Sequence, residues 1–148
     1  MSAPGASARH RSREVALQVL FAIELHAAKS GARPAAQEVF DDVGANFEMP
    51  EAARAFAKEL VVGVEAQRDA LDEQLRKAAR NWRLERMAVV DRNLLRLGAW
   101  ELAFTDTPVE VVLDEAVRLA KRFGDDPSPG FVNGVLDAVA RELRGGRR

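Results

Sequence analysis

The sequence predicts an all-α protein, a compact bundle of about six to seven helices. Apolar residues recur at steps of three and four along most of the chain, which is the period of one helix face. Strand signals are weak, because the 148 residues include no Tyr and show no sustained alternation of apolar and polar residues. Hydrophobic residues make up 47% of the chain, so we expect a packed core rather than a disordered polymer.

Three helices are predicted in the first half of the chain. The first covers about 9–29, and a glycine and a proline then end it. The second covers roughly 35–45. The third has Pro50 in its first turn, where proline is tolerated, and continues without a break to about Ala79. At 1.5 Å per residue this helix spans on the order of 43 Å, which is long enough to connect two sub-bundles.

Three further helices are predicted in the second half. The fourth covers about 84–104, and Pro108 separates it from the fifth, which covers about 109–123. Gly124 is suited to cap the fifth helix. The last helix begins at Ser128, where a serine followed by a proline is typical of a helix start.

Domain organisation and location are predicted from composition. We expect residues 1–8 to be a disordered leader, 9–144 to be one helical domain, and 145–148 to be a frayed basic tail. The chain contains no cysteine, which excludes a disulfide framework and thiol catalysis and fits a reducing compartment. No run of 18 or more apolar residues and no signal peptide is present, so we expect a cytoplasmic protein without a membrane partner.

The sequence offers little for catalysis or for metal binding. The two histidines, His10 and His26, are 16 residues apart on one predicted helix and cannot share a metal without ligands from elsewhere. A glycine-rich phosphate loop and a nucleophile elbow are both missing. We therefore expect no enzymatic activity, no metal and no cofactor.

Charge is sorted into blocks along the chain, although the net charge is only −1. The blocks are +3 over 1–13, −6 over 31–75, +5 over 76–96, −5 over 97–140 and +3 over 141–148. Such sorting creates local basic surfaces on a mildly acidic protein. Solvated helix faces and a loose tail are the plainer interpretation of each block.

Arg9, His10, Arg11 and Arg13 lie in the first turns of the first predicted helix. The amino end of a helix carries partial positive charge, so a basic side chain there is unfavourable by about 0.3–1 kcal/mol. A phosphate group would reverse this penalty, because guanidinium groups and free helix amides both attract it. Nucleic-acid binding and an arbitrary basic leader are both consistent with this segment.

Phe131 and Asn133 lie near the start of the last predicted helix. Phe131 falls beside the apolar stripe of that helix, so its ring could offer a face on which an unpaired base stacks. Asn133 could hydrogen-bond a base edge. Core packing of Phe131 and local capping by Asn133 are the structural alternatives.

A third segment of interest is Trp82-Arg83-Leu84-Glu85-Arg86-Met87, together with Asp91, Arg92 and Arg96. We expect Trp82 to lie in the core or to be half-buried at a bend between two helices. Arg92 and Arg96 are four residues apart, so they share one helix face. A solvated surface and a partner-binding surface are the two interpretations of that face.

Several runs of residues, in order over 9–141, carry a resemblance to a known family. They are Arg9-x-Arg11-x-Arg13-Glu14, Leu84-Glu85-Arg86-Met87, Val90-Asp91-Arg92, Ala99-Trp100-Glu101-Leu102, Leu119-Ala120-Lys121-x-Phe123-Gly124 and Phe131-Val132-Asn133-Gly134. Together they resemble the NusB family. The resemblance implies a fold of two packed helical sub-bundles and a role in transcription antitermination on ribosomal RNA operons.

The resemblance also implies partners and site residues. Members of that family bind the single-stranded boxA element of nascent RNA together with NusE, a small-subunit ribosomal protein, and act on the RNA polymerase elongation complex through other Nus factors. The RNA-binding roles of the family carry over to Arg9, Arg11, Arg13 and Phe131. His10, Lys121 and Asn133 are further candidate RNA-binding residues. The candidates for the NusE-facing surface are Phe21, Asp91 and Arg92.

The chain departs from the pattern of the family in three places. His10 and Phe21 stand where arginine and tyrosine are frequent. Pro129 and Gly130 precede Phe131 where relatives commonly place a basic residue, so one phosphate contact is expected to be missing.

Two other functions remain to be weighed against RNA binding. One is a helical protein-interaction module with little RNA binding of its own, which self-associates as a homodimer. The other follows from a resemblance to the helical domain of some ribosomal RNA methyltransferases. The 148 residues leave no room for a cofactor-binding domain, so we do not expect that activity.

Overall fold

A computed structural model describes residues 6–145, which form seven α-helices and contain no strand. This confirms the predicted all-α class. The helices are α1 (Ala6–Ser30), α2 (Ala36–Gly44), α3 (Glu51–Ala66), α4 (Arg68–Ala78), α5 (Val89–Phe104), α6 (Val109–Phe123) and α7 (Ser128–Arg144), with one 3₁₀ turn at Leu84–Arg86.

The chain divides into two compact units, of which the first ends at Ala66 and the second begins at Gln67. The first contains α1–α3 and the second contains α4–α7. Two helical sub-bundles are what the family resemblance implies. No helix within residues 6–145 has the length and apolarity that crossing a bilayer requires.

Gln67 interrupts the third predicted helix at the boundary between the two units. Its backbone angles, φ −106° and ψ 12°, are not helical, so α3 ends one residue before it and α4 begins one residue after it. The prediction of one continuous helix over 51–79 is therefore wrong. Apolar periodicity continues on both sides of Gln67, and neither proline nor glycine marks the break, so the pattern gave no sign of it.

In the first unit α1 packs against both α2 and α3. The core consists of buried aliphatic and aromatic side chains from all three helices, among them Val15, Leu20, Ile23, Phe40, Leu60 and Val64. The Ser12 hydroxyl donates to the Ala53 carbonyl oxygen at 2.8 Å and fixes the start of α1 against α3.

α1 begins earlier than the sequence predicts. Residues 6–8, which were expected to belong to a disordered leader, are helical, while residues 1–5 of that leader lie outside the described part of the chain. Arg9 therefore lies in the first turn of a helix that starts at Ala6.

In the second unit α5 packs against α4, α6 and α7. Every residue of α5 from Asn93 to Leu102 is buried. At Gly98 helices α5 and α7 approach so closely that an added Cβ would lie 2.6 Å from Cδ1 of Leu136 on α7, so a larger side chain there would have to displace Leu136. A left-handed Gly145, with φ +73°, ends α7 and donates its N–H to Ala140. It belongs to the predicted frayed tail, of which 146–148 lie outside the described residues.

Candidate nucleic-acid interface

Two arginines at the start of α1 lie over phenylalanine rings of the same unit. The guanidinium carbon of Arg9 is 4.1 Å from the ring centroid of Phe56 on α3. That of Arg11 is 5.3 Å from the ring centroid of Phe47, in the segment between α2 and α3. Both distances are within the range of cation–π attraction. The rings hold the two guanidinium groups in place, and both arginines remain partly exposed to solvent.

Glu14 is the acidic residue of this cluster. Its buried carboxylate lies 3.3 Å from Nη1 of Arg11 and 3.9 Å from Nε2 of His10, which is itself partly exposed. Arg9 forms no ion pair with the described residues, so the start of α1 keeps a positive charge next to the backbone amides of its first turn. This combination of groups favours an anion.

Arg13 differs from its neighbours because it is buried, with 5% of its surface exposed. Its guanidinium carbon is 5.6 Å from the Phe56 centroid, so Arg9 and Arg13 both contact this ring. A ligand in solvent reaches Arg9, His10 and Arg11 directly. We expect Arg13 to act through the packing that places the others.

In the second unit Phe131 lies in the first turn of α7, half-buried beside Trp82. The two ring centroids are 5.1 Å apart and the planes meet at 67°, an edge-to-face contact. Trp82 is 61% exposed, so the prediction that it lies in the core or is half-buried is wrong. It belongs to the turn before Leu84, outside any apolar helix face, which explains its exposure.

The two rings form part of the wall of a groove of about 490 Å³. Other residues in the wall of this groove include Arg83, Arg86, Met87 and Asp91. The groove thus combines an aromatic pair with two arginines. Sequence reasoning singled out the segment of Trp82, Arg83 and Arg86 but assigned none of the three to RNA binding. Their clustering in the +5 block was the available signal.

Asn133 and Lys121 are exposed, on α7 and α6 respectively. Neither side chain is hydrogen-bonded to any part of the chain from 6 to 145. The structure therefore does not support a capping role for Asn133, and both side chains are available to a ligand.

The residues predicted to face a protein partner differ in their surroundings. Phe21 is exposed on α1, one turn before the exposed Leu25, and together they form an apolar surface. Arg92 is half-buried, and its Nη1 donates to the carbonyl oxygens of Leu84 at 3.3 Å and Met87 at 3.1 Å. Oδ1 of Asp91 is buried without a hydrogen-bond partner among the described residues. Arg92 is therefore held by carbonyl groups of its own unit, and Oδ1 of Asp91 is closed to solvent.

Arg96 does not lie on a surface. It is buried, with Nε 2.7 Å from Oδ1 of Asp72 and Nη2 3.0 Å from Oδ2, a bidentate ion pair between α5 and α4. For this residue the solvated-face and partner-surface interpretations are both wrong. The spacing of Arg92 and Arg96 gave no sign of an acidic partner 24 residues earlier.

No group of three or more metal-ligating side chains occurs among the residues that the structure describes. Two arrangements that can bind a ligand are the basic cluster of α1 and the aromatic groove of the second unit. The first suits phosphate and the second suits a planar ring.

Comparison with known proteins gives a consistent result. The sequence profile of the NusB family matches residues 10–141. A transcription antitermination protein NusB from Sorangium cellulosum is 53% identical over 137 residues, which are 92% of this chain and 94% of that protein. One from Anaeromyxobacter dehalogenans is 44% identical over 147 residues, with 96% of each chain covered.

Solved structures agree with the sequence comparison. NusB of T. maritima superposes with a TM-score of 0.81 at 32% identity, covering 96% of this chain and 94% of that one. A NusB that was crystallised with the antitermination factor NusE and double-stranded RNA superposes with a TM-score of 0.69 at 30% identity, covering 89% of this chain and 98% of that one.

Proposed function

This chain belongs to the NusB family, and we propose that it is a transcription antitermination factor that binds the single-stranded boxA element of nascent ribosomal RNA. The observation that carries the proposal is the basic cluster of α1. Arg9 and Arg11 are held over aromatic rings at the amino end of a helix, where stability alone favours acidic residues. An anionic ligand is the simplest reason for this placement.

The two units supply different kinds of RNA contact. In the first, Arg9, His10 and Arg11 bind backbone phosphates, assisted by the positive end of α1. In the second, the ring of Phe131 stacks on an unpaired base, Asn133 hydrogen-bonds a base edge and Lys121 binds phosphate.

NusE, the small-subunit ribosomal protein, is the protein partner in this proposal, and a solved relative was crystallised with NusE. Phe21 with its neighbour Leu25 offers an apolar contact on the first unit. Asp91, which is half-buried, is the candidate on the second. Arg92 contributes by holding the turn at Leu84–Arg86, to which it donates hydrogen bonds. The complex joins the RNA polymerase elongation complex through other Nus factors.

The same proposal places the protein in the cytoplasm, where nascent bacterial transcripts are found. It assigns no catalytic step to the chain and requires no cofactor, because phosphate neutralisation, stacking and protein contact are sufficient for the role.

Titration of labelled boxA RNA tests the proposal, with and without NusE and over a range of salt concentrations. If about four to six phosphates are neutralised, log K falls with log salt at a slope of roughly −3 to −4 for the single strand. NusE is expected to raise the affinity. Absence of RNA binding, with binding of NusE or a concentration-dependent homodimer retained, would favour a protein-interaction module instead.

Phe131→Ala is expected to weaken binding of single-stranded boxA RNA by about 5- to 150-fold, because one base loses a stacking surface worth about 1–3 kcal/mol. The change in Tm should be small, since Phe131 is only half-buried. Fluorescence anisotropy and thermal melts measure the two quantities. Phe123→Ala, at another half-buried phenylalanine of the same unit, is the control and should leave RNA affinity unchanged. A large fall in Tm for Phe131→Ala would identify Phe131 as a core residue.

A further inference from the structure

Trp82 is exposed in a way that packing does not explain. Its side chain is 61% exposed, whereas the other tryptophan, Trp100, is 7% exposed. Tryptophan carries a large apolar ring and is highly buried on average. The edge-to-face contact with Phe131 holds the ring in one orientation at the groove. Trp82 therefore presents a fixed aromatic face to solvent.

The rim of the groove carries two positively charged side chains that pair with no acidic group of the described residues. Arg83 and Arg86 are exposed, and neither side chain forms an ion pair or a hydrogen bond with the residues between 6 and 145. The nearby acid Glu85 lies 3.8 Å from a different arginine, Arg76. Two guanidinium groups next to Trp82 are thus available to an anion.

Asp91 decides which part of a nucleotide enters the groove. Its negative charge in the groove wall repels phosphate. A nucleobase carries no such charge and can stack on the neighbouring aromatic ring. The base is therefore favoured inside the groove and the phosphates at its rim.

We propose that Trp82 is a second stacking platform, on which an unpaired base of the RNA stacks while Arg83 and Arg86 bind the flanking phosphates. This site is additional to Phe131 and rests on the proposed function, that the chain binds single-stranded RNA. The 67° angle between the rings prevents one base from lying parallel to both. Each ring takes its own base, and the two bases are turned away from a continuous stack. A single strand can adopt this path, whereas a duplex cannot.

Trp82→Ala and Trp82→Phe test the assignment with the full chain and single-stranded boxA RNA. Trp82→Ala is expected to raise Kd about 5- to 150-fold, and Trp82→Phe, which keeps a stacking ring, should recover most of the affinity. Binding of duplex RNA of the same sequence should be unchanged in both. Phe104→Ala removes another exposed aromatic residue of the second unit, outside the groove, and should have no effect.

Tryptophan fluorescence reports on the site directly. Base stacking on Trp82 should quench the emission of the unaltered chain, and the quenching should disappear in Trp82→Phe, where Trp100 alone emits. The salt slope should stay the same in Trp82→Ala. It should become shallower by about 1.4 when Arg83 and Arg86 are both replaced by Gln, because two phosphate contacts are lost.

The results of these experiments distinguish failure of the stacking site from failure of the proposed function. RNA binding by the unaltered chain, combined with undiminished affinity and no loss of quenching in the Trp82 variants, would overturn the stacking site and leave the function standing. Loss of NusE binding without loss of RNA binding in Trp82→Ala would show that the groove binds protein, and would equally overturn it. Failure of the unaltered chain to bind RNA would overturn both.

Discussion

Asp72→Ala is expected to lower the free energy of unfolding by about 3–5 kcal/mol, because it leaves the buried guanidinium of Arg96 without its carboxylate partner. The native pair is bidentate, and Nη1 of Arg96 also donates to Oδ1 of Asn93 at 3.2 Å. The neutral amide of Asn93 does not replace the lost carboxylate. Chemical denaturation followed by circular dichroism measures the change.

Two controls make this result specific. Asp69→Ala removes an exposed carboxylate from the same helix and should cost less than about 1 kcal/mol. The double variant Asp72→Leu with Arg96→Met removes both charges together and should recover most of the stability, because buried ion pairs replaced by apolar residues of similar volume are often neutral. A loss below about 1 kcal/mol for Asp72→Ala would show that water reaches Arg96.

Replacing Arg9 and Arg11 together by Gln is expected to weaken binding of single-stranded RNA about 10- to 100-fold at low salt, because two charge-assisted contacts to phosphate are lost. Gln retains a long side chain and good helix propensity, so α1 should persist. Arg13 is left unchanged because it is buried, and its replacement would also disturb packing on Phe56.

The control for this variant removes the same charge from the same unit. Lys29→Gln with Lys58→Gln changes an exposed residue in the last turn of α1 and a residue of α3 that pairs with Asp41. RNA affinity should change little, since neither lysine belongs to the basic cluster. An equal loss of affinity in both double variants would mean that net charge, rather than the position of Arg9 and Arg11, determines binding.

The helices could be predicted because their signals are local. Periodicity, proline and glycine placed most of the boundaries within a few residues of those observed. The break at Gln67 could not be predicted this way, because the local pattern is the same on both sides of it. Where a helix ends there depends on the packing within each unit, which a periodic pattern does not contain.

The candidate site, like the helices, was predictable where it depends on local sequence and not where it depends on contacts between distant residues. The arginines of α1 and the start of α7 were identified from their positions in helices. Their contacts join residues far apart in the chain: Arg9 contacts Phe56, and Arg96 pairs with Asp72. Arg13 and Arg96 are buried because of such contacts. A prediction from charge alone therefore placed Arg96 on a surface, which is wrong. The prediction for Trp82 was wrong in the opposite direction, because an apolar side chain is expected in the core and this one is exposed.

The salt dependence of RNA binding tests the central claim most directly, with the unaltered chain and the Arg9→Gln, Arg11→Gln variant measured side by side on single-stranded boxA RNA. If the start of α1 binds phosphates, the slope of log K against log salt should become shallower by about 1.4 in the variant, from roughly −3 to −4 in the unaltered chain. Identical slopes for the two proteins would contradict the assignment of this helix to RNA.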